Sequence, residues 1–105
     1  MPAASVVYRF TQNRVQRQLA FTRVTEALYT MLIDVQRQRA VPVSLTWGDR
    51  VLYDAAALQR IYTQCRSELE ATGGAVPPSL EAVARAELSR TAAGYDRQPP
   101  LALIA

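Results

Sequence analysis

VPVSLTWGDRVLYDAAALQRIYTQCRSELEAT, residues 41–72, reads as a tight β-hairpin running straight into an amphipathic helix. Val43, Leu45 and Trp47 alternate with Ser44 and Thr46, a period of two that marks a strand. Gly48-Asp49 is a two-residue turn with glycine first, the order a type II′ turn prefers. Arg50 to Tyr53 returns as the second strand, so the hairpin spans 43–53. In that register Leu45 faces Leu52 and Trp47 faces Arg50. Asp54 is a good N-cap for a helix over 55–72. Leu58, Ile61, Tyr62, Cys65 and Leu69 share one face of it, and Gly73-Gly74 stops it. Trp47, Val51, Tyr53, Leu58, Ile61 and Leu69 are the expected hairpin–helix interface, because a lone hairpin is marginal in water and must pack on something.

Upstream, no Gly or Pro falls between Ala3 and Ala40, and residues 9–39 read as one long helix. Phe21, Val24, Leu28, Met31 and Val35 recur at spacings of 3, 4, 3 and 4, an a/d seam. Thr11 or Asn13 would cap it, and Pro42 would end it by biasing Val41 away from α geometry. Residues 1–8 read as frayed or extended. Downstream, Ser79 would cap a short third helix over 80–92, with Leu80, Val83, Ala84 and Leu88 on one face. Residues 95–105 carry Pro99-Pro100 and then LALIA, an apolar tag (Leu101, Leu103, Ile104) on a polar tail arm. It would dock on the chain's own core or on a neighbour. The expected architecture is α+β in a single domain, 1–105: long helix, two-stranded antiparallel β-hairpin, helix, short third helix, extended C-terminal tail.

The 105 residues carry no histidine and one cysteine, Cys65. That inventory excludes the common zinc constellations and the Ser-His-Asp and Cys-His nucleophile systems. No phosphate-loop glycine pattern exists, and no two carboxylates are spaced to converge. The reading is therefore no enzyme, no catalytic residue, no metal and no cofactor. Cys65 lies on an apolar helix face and reads as a buried small hydrophobe. No signal-peptide layout or membrane-length apolar run is seen.

The net charge of +3 is unevenly spread. Arg9, Arg14, Arg17 and Arg23 stand in the first 25 residues with no acid among them. A solvated face explains such a run; contact with DNA or an acidic protein surface is the functional alternative.

The turn and strand GDRVLY (Gly48 to Tyr53) and the helix LQRIYTQCRSELEATG (Leu58 to Gly73) resemble the W-type (lambda W-like) head–tail joining proteins of tailed phages. The likeness covers about 30 residues well, with the helix before them in a general way. It implies a structural, non-catalytic subunit of the virion, a head–tail connector or neck protein. Such a subunit assembles as a cyclic ring beneath the portal after DNA packaging, within the host cytoplasm. The implied partners are the portal protein, the adjacent neck or tail proteins and DNA in the channel. Two other readings stand beside it. One is a small Arg-rich nucleic-acid-binding regulator. The other is a helical adaptor or assembly chaperone using the Phe21–Val35 seam.

Overall fold

The computed structural model describes residues 6–92. Within them the chain runs β1 (Val6–Gln12), β2 (Val15–Phe21), α1 (Val24–Gln36), β3 (Val41–Trp47), β4 (Arg50–Asp54), α2 (Ala55–Ala71) and α3 (Leu80–Ala92). The four strands form one antiparallel sheet in the order β2-β1-β3-β4. The fold is α+β, but the order of elements corrects the expected one. Strands precede the first helix, and the long helix over 9–39 does not exist.

The reason lies in residues 6–21. Val6, Tyr8 and Phe10 are buried while Val7 and Arg9 are not, a period of two. Asn13 (φ 52) and Arg14 (φ 66) both sit in the left-handed region, which is what a two-residue type I′ turn demands. β1 and β2 then pair from Val6↔Phe21 to Gln12↔Val15 without a break. Phe21 thus belongs to a strand, and the rest of the expected seam is inside the fold. Val24, Leu28 and Met31 are fully buried on α1, and Val35 packs against that core. The chain's own sheet fills the face an adaptor would have used.

α1 also ends differently from the expectation at Pro42. The Arg39 N–H donates to the Asp34 carbonyl (2.8 Å) and the Gln38 N–H to the Val35 carbonyl (3.1 Å), a Schellman closure with Gln38 at φ 55. Pro42 instead lies in β3, opposite Phe10. A side chain in the left-handed region costs about 1–2 kcal/mol, so Gln38→Gly should stabilise the fold by about 1 kcal/mol. Thermal melts should show this as a rise of several degrees in Tm. A fall would show that the Gln38 side chain contributes more than its backbone costs.

In the second hairpin Gly48 takes φ 62 at the turn, and Trp47 pairs with Arg50. A bulge follows, so Leu45 pairs with Tyr53 rather than Leu52. The Asp54 carboxylate accepts from the Ala57 N–H at 2.8 Å and opens α2. α2 closes through Gly73 (φ 71) in a second Schellman turn, with the Gly74 N–H donating to the Leu69 carbonyl at 2.9 Å. Ser79 precedes α3, but its hydroxyl and N–H both donate to Glu68 rather than capping the helix (2.9 and 3.1 Å). That clasp ties the end of α2 to the start of α3.

The arrangement is nearly two-fold. β1-β2-α1 and β3-β4-α2 are each a hairpin running into a helix, joined through their antiparallel first strands β1 and β3. All three helices pack on one side of the sheet over Val6, Tyr8, Leu45 and Tyr53. α3 breaks the symmetry, because it packs on α2 and β4. The Tyr53 hydroxyl donates to the Ala84 carbonyl (2.8 Å), and the exposed Arg60 pairs with the buried Glu87 (2.9 Å). Among the described residues no equivalent helix lies over β2.

Candidate interaction surface: an open strand with a basic end

β2 is the rim of the sheet, and six of its seven residues are exposed. Partners in an antiparallel pair share a face, so the pairs Tyr8↔Leu19 and Phe10↔Arg17 put Val15, Arg17, Leu19 and Phe21 on the helix side. Phe21 reaches the core. Leu19 (45% exposed) and Val15 (53%) lie beyond the cover of α1. The result is an apolar row interrupted by one cation, running beside an outer backbone edge that no strand among the described residues pairs.

The opposite side of the sheet is mixed, with Val7, Ala20 and Val51 among polar residues. Gln16 and Gln18 stand there with Arg9, whose guanidinium donates to the Thr46 hydroxyl across β3 (3.0 Å). That bond, under the cover of the Arg9 stem, keeps Thr46 only 6% exposed.

At the hairpin tip an open concavity of about 500 Å3 is lined by Asn13, Arg14, Gln38 and Arg39 over Val35 and Val41. Arg37, the last residue of α1's cap, is exposed at the same end. Asp34 is the nearby acid; burial pushes its carboxyl up, against the pull of Arg39. Arg14 and Arg17 have no ion-pair partner among the described residues.

The four arginines singled out from sequence are therefore not one patch. Arg14 and Arg17 flank the start of β2. Arg9 is on the mixed face, and Arg23 is the N-cap residue of α1, at the far end of β2. Among the interface residues, Leu58, Ile61 and Leu69 are fully buried on α2 and Tyr53 on β4, while Trp47 is half-buried and Val51 is 40% exposed. Leu101, Leu103 and Ile104 lie outside the described residues. Val15, Leu19 and Arg39 were not singled out. The odd-numbered alternation through β2 is the signal for Val15 and Leu19, and a helical reading of the segment hides it; Arg39 joins them only through the tertiary fold.

A second feature sits under β2. Tyr8 is fully buried and stacks on Phe10 (ring centroids 4.9 Å apart), yet its hydroxyl has no hydrogen-bond partner among the described residues. Deleting a buried, unsatisfied hydroxyl removes its desolvation cost. Tyr8→Phe is thus expected to stabilise the isolated chain by about 1 kcal/mol, read as a higher urea midpoint at unchanged slope.

Among the described residues no group of His, Cys, Asp and Glu is placed to hold a metal ion, and no helix is long and apolar enough to cross a membrane. Comparisons with protein-family models, with curated proteins and with solved structures found no match to this chain.

Proposed function

We propose that this chain is a structural subunit of a tailed-phage particle, a head–tail connector or neck protein that assembles as a closed ring next to the portal. The observation that carries the reading is β2. Among the described residues, a small domain with one buried core leaves a seven-residue strand on its rim with both its edge and its apolar row uncovered. Monomeric proteins blunt or cover such edges, and subunits keep them for neighbours. The segment that carries the family resemblance, Gly48 to Gly73, supports the same reading: it is the turn, β4 and α2, a hairpin running directly into a helix. The role needs no catalytic group. Its partners are the portal protein and the adjacent neck or tail proteins, in a particle assembled in the host cytoplasm. DNA in the channel would meet Arg14 and Arg17.

Native mass and sedimentation, with the chain alone and then with portal-bearing heads, test it. The expected result is a discrete cyclic species, or retention on the heads at a fixed ratio. A monomer under all conditions, with no retention on heads, would reject the connector role.

A further inference from the structure

The near two-fold arrangement says what β2 lacks. α3 covers the helix side of β4, and among the described residues nothing takes the matching place over β2. What remains there is an open backbone edge, Leu19 and Val15 two steps either side of Arg17, and Arg14 and Arg39 beyond the strand's first residue. The spacing is a strand's period, so an extended chain matches it residue for residue. A docked helix would leave the edge groups of β2 unpaired.

We propose that β2 is the docking edge for an extended segment of another protein. Its pattern is apolar-x-acidic-x-apolar with a second acid after it, added as a fifth strand. The segment's first acid would face Arg17, its apolar residues would cover Leu19 and Val15, and its second acid would enter the basic concavity at Arg14 and Arg39. Backbone pairing supplies affinity, and the alternate side chains supply selectivity.

Charge decides against a second copy of this chain as the occupant. β2 has no acid, and two copies paired through it would bring their Arg17 side chains near one another. At the other rim, β4's Asp54 already caps α2. Where this chain carries an acid between large apolar residues two positions away, at Val24–Leu28 and Trp47–Val51, the segment is a helix or a tight turn. The inference takes from the proposed function only that β2 is a contact surface. It is tested on the chain alone, so it can fail while the ring stands, or hold while the ring fails.

The probe is a fluorescein-labelled octapeptide, Thr-Val-Thr-Glu-Thr-Val-Thr-Asp, with a twin bearing Lys at both acidic positions and a 20-base-pair DNA duplex as comparisons. Fluorescence polarisation should show the acidic peptide binding at least about tenfold tighter than its Lys twin. The double variant Arg14→Glu/Arg17→Glu, at exposed positions, should reverse that preference. Leu19→Ser should weaken both peptides. Hydrogen exchange should show β2 amides gaining protection on binding, a change that charge attraction alone does not produce. Circular dichroism checks that each variant keeps its fold. Absence of acidic-peptide binding, or indifference to charge reversal, overturns the proposal. Duplex binding that needs the arginines but not Leu19 would assign the surface to nucleic acid. Self-association lost in Leu19→Ser would assign it to a second copy.

Discussion

Leu28→Asp is expected to abolish the folded state. Leu28 is fully buried on α1 against the sheet, within the core that includes Tyr8, Met31 and Leu45. The substitution removes about 2 kcal/mol of apolar transfer energy and leaves a cavity. It also places a carboxylate where nothing can solvate it, an added cost of several kcal/mol even after the group protonates. A domain of this size has about 5–15 kcal/mol in total, so the sum approaches or exceeds what is available. Circular dichroism should show loss of cooperative melting. The result also separates two architectures. Were residues 9–39 a free helical seam, the variant would stay folded and lose only a partner. A cooperatively folded Leu28→Asp chain would mean that α1 does not pack as described.

The second large effect is alkaline unfolding. Tyr8 and Tyr53 are both fully buried. Burial pushes each hydroxyl's pKa well above its ordinary value of 10.0, with Asp34 adding to the effect at Tyr8 and Glu87 at Tyr53. Cys65 is shifted upward as well, again first by burial. In the folded chain these groups keep their protons at a pH where the unfolded chain has lost them. Their contribution is intact below the ordinary pKa values. Above pH 10.0 it falls, because the unfolded state gains by ionising. Two tyrosines titrating only in the unfolded chain lower stability by about 2.7 kcal/mol per pH unit. Two units of pH therefore remove about 5 kcal/mol, all of the stability at the low end of the range for such a domain, and the chain should unfold cooperatively from about pH 12 upward. Tyrosinate absorbance near 295 nm should rise in the same transition as the loss of helix signal. A titration step for both tyrosines in a chain still folded would contradict their burial. Tyr8→Phe should shift the transition upward and make it less steep.

The second half of the chain was readable because its punctuation is chemical. Gly48 has the freedom its turn requires, Asp54 has the carboxylate a helix start requires, and Gly73 tolerates the left-handed closure of α2. The first half hid its turns. Asn13 carries a weak mark, because asparagine tolerates the left-handed backbone, but Arg14 and Gln38 take it without glycine and with no other local sign. Val24, Leu28, Met31 and Val35 do lie on a helix, and Phe21 extends their spacing by coincidence into a strand. Once the helix had been carried back that far, Val15, Arg17 and Leu19 lost the alternation that places them on one face. The exposed apolar row was illegible for that reason. Burial of Tyr8 with an unsatisfied hydroxyl is a fact of tertiary packing, and no local pattern encodes it.

The sheet order has a consequence for how the chain reaches this state. Each hairpin joins neighbouring residues across a two-residue turn and closes on its own. The pairing of β1 with β3 joins residues some 37 apart, as the Arg9–Thr46 bond does, and must wait for α1 to span the gap. Marrying the two hairpins is therefore the slow event of folding. Until it happens both edges of β1–β2 are open, and afterwards β2 alone remains so. The strand offered to a partner is held by one neighbouring strand and, unlike β4, is not packed on by α3, which makes it the part of the sheet that opens most easily.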